Sequence, residues 1–543
     1  MKLKNILFLG SRLVKLVVIV LICCQASLAK NLHAQTSKVN IPNSGGELPQ
    51  GVSQIEWQAI LSQIKVSQQV QTSTVNLSQQ AYVKSSNTQA GFRFGYSVAI
   101  SGHTMVVGAR FEDEPLAARA GAVYVFVRRQ GVWSQQARLV ASNVDENDWF
   151  GLSVAIYGNT LVIGAPFEDS NAREVNGDQS DNSKHNSGAA YVFVRSNSIW
   201  QQQAYIKSTN TDADDNFGIS VAINEDTIII GAPLEDSNAT GSNGNQADNS
   251  AMNSGAAYIY QRFNPDLWVN KGYIKASNSE ALDRFGRAVD ITEDLFVVGA
   301  EHESSNATGV NGDQNNNLKP GSGAAYVFSN ASGSWLQQAY LKASNSNNND
   351  RFGLSVAISN LTTVVGASGE DNSATGINGN ETLCCDYGSG AAYVFTKDIV
   401  NNLWSQEAYM KASNTGGGDF FGETVAIDRN TIVVGAVGEK SNATGVNGNQ
   451  FDDSSPNSGA VYTFTRASSV WSQQAYIKAS NSETLDVFGS SIAISNDTIL
   501  VGVSQEDSNA TGINGNENNN SADEAGAAYV FNTDLLFGDG FEE

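Results

Sequence analysis

The pair Phe-Gly recurs seven times, at Phe94, Phe150, Phe217, Phe285, Phe352, Phe421 and Phe488, at intervals of 56, 67, 68, 67, 69 and 67 residues. A period of this size marks a supersecondary unit that cannot bury its apolar face alone and must stack on its own copies. Each unit holds four apolar segments of strand length. The first is Ser-Val-Ala-Ile-like (Ser153–Ile156, Ser355–Ile358) and the second Thr-Ile-Val-Val-Gly-Ala-like (Thr227–Ala232, Thr431–Ala436). The third is Gly-Ala-Ala-Tyr-Val-Phe (Gly188–Phe193, Gly323–Phe328, Gly526–Phe531), and the fourth Trp-x-Gln-Gln-Ala-Tyr-Ile-Lys (Trp471–Lys478). Short polar links such as Asn224-Glu225-Asp226 join the first two into a hairpin. Four-stranded units of this period are propeller blades, so the sequence predicts an all-β, seven-bladed β-propeller over residues 77–531.

The ends predict how the ring closes. The seventh unit stops after its third strand at Phe531, without the Trp and Ala-Tyr-Ile-Lys that complete the others. A matching segment, Leu77–Lys84, lies ahead of the first Phe-Gly. The last blade is therefore expected to be closed by this N-terminal strand, which would leave no blade edge open for fraying or for pairing with another chain. The glycines of the Phe-Gly and Gly-Ala steps are expected to serve tight turns near the ring axis. The Tyr and Phe of the third strand and the Trp of the fourth are expected to fill the gaps between blades.

Composition fits this reading and adds a compartment. Charged residues make up only 16% of the chain, while Gly reaches 51 residues, a balance suited to short strands and polar turns. Lys2, Lys4, Arg12 and Lys15 precede the apolar run Leu16–Cys24 and the small residues before Ala29, the pattern of a secretory signal peptide over residues 1–29, with Ala34 as a second cut site. The apolar run is too short to span a bilayer, which takes about 20 residues. Losing those four positive charges would take the net charge from −23 to −27. Such a surface repels nucleic acid and anionic lipid. The expected setting is secreted, periplasmic or cell-surface. After cleavage only Cys384 and Cys385 remain, as a vicinal disulfide or as two thiols, so a disulfide scaffold is excluded.

Residues 30–76 are polar apart from one segment. Ser53-Gln54-Ile55-Glu56 has the form of a capping box, and Ile55, Trp57, Ile60, Leu61 and Ile64 follow at helical spacing, predicting a short amphipathic helix. Residues 532–543 form an acidic tail, readable as a sorting or docking tag or as a frayed end.

Phe-Gly followed by Gly-Ala-Pro (Gly164–Pro166, Gly231–Pro233) and then Gly-Ala-x-Tyr-Val-Phe resembles the FG-GAP repeat, which builds the propeller at the head of integrin α subunits and occurs in many secreted bacterial proteins. The resemblance implies the propeller fold and a role in binding or adhesion. Integrin-like repeats often place a calcium loop between the first and second strands. Here that link is a short turn (Ser101–His103, Asp428–Asn430), with too few oxygen ligands, so those sites do not carry over.

The informative variation lies between the second and third strands. A Glu follows every second strand: Glu112, Glu168, Glu235, Glu303, Glu370, Glu439 and Glu506. From it to the Gly opening the third strand is nine residues in the first unit and 20 in each of the other six. A fixed length predicts a fixed conformation. Carboxylates and amides on such loops suit Ca²⁺, with Glu168, Asp169, Asp178, Asp181, Glu235, Asp236 and Asp248 as candidate ligands. The alternative is that these residues only form turns. The Asn-Ala-Thr tripeptides within the loops also match glycosylation acceptors.

A second recurring acid (Asp148, Asp215, Asp283, Asp350, Asp419, Asp486) stands two residues before the Phe in the second to seventh units and is expected to fix a turn. The two loop sets emerge on one face, where a ligand is expected. Four scattered His (His33, His103, His185, His302) and no zinc, phosphate or Cys-nucleophile motif leave no catalytic residue to name. The chain reads as a monomeric binding or adhesion propeller for an extracellular protein or glycan. A lectin, or a propeller hydrolase or lyase acting on polysaccharide, is the alternative.

Overall fold

The computed structural model describes residues 76–331 and 333–534. The predicted signal peptide, the Ser53–Ile64 helix and the tail beyond residue 534 lie outside the described residues. Seven antiparallel sheets stand in chain order, and among the described residues there is no helix, hence none long and apolar enough to cross a membrane. In the third blade the strands are Ser220–Asn224, Thr227–Ala232, Ala256–Asn264 and Leu267–Ile274, paired in sequence order. First strands of neighbouring blades contact one another and form the inner wall. In the last sheet the strand Asn76–Val83 pairs antiparallel with Ala527–Asp534, Tyr82 opposite Tyr529.

Alternation within each blade sends side chains to both neighbouring gaps, so the core is a ring of seven inter-blade layers. The aromatics lie there as expected. Phe217 meets Tyr258 edge-on at 5.3 Å, and Tyr258 meets Tyr273 at 5.3 Å, a trio that recurs with small changes around the ring. Such contacts add roughly 0.5–1.5 kcal/mol each beyond their burial. A β-bulge recurs between third and fourth strands, and the bulged Gln203 accepts a hydrogen bond from Trp268 Nε1 of the next fourth strand at 2.8 Å. The bulge re-aims that Gln along the rim of the ring.

At the axis the glycines are required by contact. A Cβ on Gly231 would stand 2.0 Å from the carbonyl oxygen of Gly286 in the next blade, and Gly286 itself has φ +94°. Beside this contact a hydroxyl ties each blade to the next. Ser97, Ser153, Ser220, Ser355, Thr424 and Ser491 each donate to the carbonyl of the following Phe-Gly glycine. The fourth blade has Ala288 there, and links differently: Asp290 accepts from Ile358 N of the fifth blade at 2.7 Å.

Candidate functional site

The long loops are built on a buried ion pair. In the second blade Glu168 Oε1 accepts from Asn143 Nδ2 at 2.9 Å and Tyr205 OH at 2.7 Å. Its Oε2 accepts from Lys207 Nζ at 2.7 Å and Ser170 N at 3.1 Å. Lys207 also donates to Ser187 Oγ at the far end of the loop, 2.7 Å away. Burial pushes the Lys207 ammonium below its ordinary range despite the carboxylate beside it. A buried pair offsets its desolvation only when the remaining lone pairs and protons find partners, and here both carboxylate oxygens and two of the three ammonium protons have them. The same pair recurs as Glu235–Lys275, Glu303–Lys342, Glu370–Lys411 and Glu439–Lys478, and as Glu506–Lys84, where the cation arrives on the closing strand.

The rest of each long loop returns over the outer edge of its blade. Asn176 N donates to Tyr205 O at 2.7 Å and Asn176 Oδ1 accepts from Tyr205 N at 3.0 Å. Asn243, Asn311, Asn378, Asn447 and Asn514 do the same to Tyr273, Tyr340, Tyr409, Tyr476 and Tyr82. The loop thus covers the outermost strand of its blade, an edge otherwise open to pairing with another chain. This explains the constant length of 20 residues.

These positions revise the calcium expectation. Glu168 and Glu235 are 1% exposed and lie in the blade interior, every carboxylate oxygen already bonded, rather than on the loop surface. The loop aspartates bond their own backbone. Asp178 and Asp248 accept from Ser180 and Ser250, Asp181 from Ser183 N, and Asp169 and Asp236 from Asn186 N and Asn253 N at 2.7 Å. Among the described residues no three His, Cys, Asp or Glu side chains converge in a metal-holding group. The tripeptide asparagines Asn238, Asn306, Asn442 and Asn509 are exposed. Cys384 and Cys385 are bonded to each other on the exposed fifth loop.

The second acid set fixes turns as expected: Asp148, Asp215, Asp283, Asp350 and Asp486 each accept from the backbone N–H three residues earlier. Asp419 instead takes Lys440 Nζ at 2.9 Å. Burial pushes these carboxyls up, to about 8 for Asp148, Asp215, Asp283 and Asp486, to about 7 for Asp350 and to about 6 for Asp419, with repulsion from the blade's buried Glu adding to the rise.

Toward the axis on this face, uniformity ends. The residues flanking Phe-Gly and following Gly-Ala differ from blade to blade. In the first two blades they form a half-buried aromatic cluster: Phe111 and Trp149 at 4.9 Å, Trp149 and Phe167 at 4.1 Å. Arg110 lies over Tyr96 at 3.5 Å, over Phe111 at 4.4 Å and within 5.0 Å of Trp149. Arg110 Nε and Trp149 Nε1 are buried donors with no partner. In the fourth blade Glu301, 2% exposed, faces Arg284 at 3.6 Å and Arg287 at 3.8 Å, with Oε2 unpartnered and His302 beside it in the chain. Sequence reasoning missed both groups. Their signal was that these positions vary within an otherwise regular repeat. The three described histidines do not converge: His103, His185 and His302 belong to the first, second and fourth blades.

The FG-GAP repeat family matches residues 77–126, 133–193, 200–260, 268–328, 335–395, 404–464 and 471–531. No curated protein matches the sequence. Among solved structures, the WD40 repeats of RRP9 are similar with a TM-score of 0.43 at 9% identity, covering 83% of this chain and 96% of that one. Saccharomyces cerevisiae Sqt1 is similar with a TM-score of 0.38 at 9% identity, covering 84% and 99%.

Proposed function

Because the chain belongs to the FG-GAP repeat family, we propose that it is a secreted or cell-surface binding module that presents its loop face to an extracellular protein or carbohydrate. The observation that carries this reading is the contrast between the largely repeated blade interiors and the varied residues around the axis on that face. A repeat kept regular for folding but varied at one rim has the form of a scaffold carrying a site. In this reading the ring acts as a monomer, and its strongly negative charge would repel nucleic acid.

The cluster of Phe111, Trp149, Phe167 and Arg110 favours a carbohydrate as the second, narrower reading. Half-exposed π-faces can stack on sugar rings, and Arg110 Nε and Trp149 Nε1, buried beneath them without protein partners, are donors the cluster leaves unsatisfied. A glycan array with and without calcium tests it. Binding removed by a competing sugar and lost in Trp149→Ala and Phe111→Ala supports the carbohydrate. Protein capture that sugar does not compete, yet the same variants abolish, supports a protein ligand at the same site. A ligand held equally by both variants sinks the site.

A further inference from the structure

On the face opposite the loops, where the hairpins turn, a cavity of about 340 Å³ opens between the first and second blades. Arg128, Arg129 and Arg195 line it together with His103, and no Asp or Glu does. In a chain with 55 acidic and 32 basic residues, such a pocket is unusual.

The equivalent positions elsewhere show how the charge came to be unmatched. In the third blade Arg262 Nε meets Asp226 at 3.2 Å, and in the sixth Arg466 Nη1 meets Glu407 at 2.8 Å. In the first two blades the position of Asp226 is occupied by His103 and Asn159, and that of Glu407 by Gln136. The arginines keep their platforms, Arg195 over Trp200 at 5.1 Å and Arg128 over Trp133 at 5.6 Å, but have lost their carboxylates. Arg195 is held in place by neutral acceptors only: Asn159 at 2.8 Å, Thr104 at 3.0 Å and Gln136 at 3.3 Å. Burial, and then Arg129 nearby, push its guanidinium below the ordinary range. Guanidiniums fixed on aromatic faces with N–H groups left to donate suit a planar or tetrahedral oxyanion.

We infer that this pocket binds a compact oxyanion, the carboxylate, sulfate or phosphate group of a small acidic ligand such as a uronic acid. The net charge of the whole chain repels a long polyanion, so the ligand is a single acidic group rather than a charged polymer. This site is independent of the loop face and of the reading given to it.

Calorimetric titration of the full chain at low ionic strength with sodium glucuronate, inorganic phosphate, sulfate and, as neutral control, glucose tests the inference. The expected result is saturable binding of at least one oxyanion and none of glucose. Preference for glucuronate would assign a sugar acid, and preference for phosphate or sulfate an ester. Arg195→Gln should weaken binding roughly tenfold or more, the loss of one charge-assisted contact. Because Arg195 also bonds its neighbours, Ser198→Asp provides a second arm. It places an acid at the rim, at an exposed residue whose φ of +66° Asp tolerates. Arg262→Gln, in the carboxylate-paired blade, should bind as the parent does. Absence of saturable heat with every oxyanion, or binding that survives both Arg195→Gln and Ser198→Asp, overturns the assignment.

Discussion

The first blade and the other six solve one problem in two ways. All seven bury a Glu at the end of the second strand, and each needs a cation for it. In six blades the cation is Lys, from the position two residues after the fourth-strand Tyr. In five of them it also reaches across to a Ser at the end of the 20-residue loop, the seventh blade having Ala525 there. In the first blade the Lys position is Val140 and the Tyr position is Arg138, which meets Glu112 at 2.6 Å. Three other features change with it. The loop is nine residues, Ala120 stands where Ser187 would, and Phe92 replaces the buried Asp before Phe-Gly. Lysine, aspartate and long loop are therefore one unit, present together or absent together, while the Ser is replaced by Ala525 in the seventh blade without loss of the other three. The Glu belongs to the blade, and the Lys to the loop.

The largest effect should come from the blade whose cation arrives from the other end of the chain. Deleting residues 77–84 removes a whole strand along with Lys84 and Tyr82, the partners of Glu506. Denaturation of the domain should shift to far lower temperature or denaturant, and an unchanged transition would break the closure argument. Next, Lys207→Met leaves Glu168 buried and unpaired, costing about 3–5 kcal/mol. Arg138→Met should cost less, because Arg138 is 30% exposed and water reaches Glu112 once it is gone. Equal denaturant midpoints for these two variants would remove the distinction. The sharper version carries the first blade's arrangement into the second: Tyr205→Arg with Lys207→Val should recover part of what Lys207→Val alone loses.

Smaller effects follow in the loop. Asn176→Ala strips the partner from Tyr205 N and should cost about 1–3 kcal/mol. Hydrogen exchange at Tyr205 should rise toward the rate at Arg138, whose blade has no covering loop. The smallest effect per site is the pH dependence of the raised aspartates. Each is protonated in the folded state at a pH where the unfolded chain has released its proton, so the folded state binds more protons and stability falls as pH rises from about 5 toward 8. Asp215→Asn should flatten that slope by one group. A thermal midpoint flat across this range would remove the claim that these carboxyls are buried and protonated.

Much of the ring was legible because its physics is local. Phe217-Gly218, Gly231-Ala232 and Trp268 announce turns, close approaches and packing through residue type alone. Glu235 was misread because its side-chain partners, Asn210 on one segment and Tyr273 and Lys275 on another, lie about 25 and 40 residues away in the chain, and an acid beside a polar loop looks like a surface acid. The signal was nonetheless present in the first unit, where the long loop and the Lys vanish together. The axial cluster at Arg110 and Trp149 stayed hidden for the opposite reason: it does not repeat, and one copy of a pattern offers no period to detect.

The pairing of Asn76–Val83 with Ala527–Asp534 also governs the order in which the molecule can be finished. Chains are made from the N-terminus, so the closing strand emerges first, and its partner more than 440 residues later. Until then the segment carrying Tyr82 and Lys84 has no blade to join, while six blades can assemble behind it. Contacts of such sequence separation form late and slowly. A stalled or truncated chain would therefore hold an open ring with an unmatched Glu506 or none at all, a species that quality-control proteases and aggregation can reach while the completed ring is beyond them.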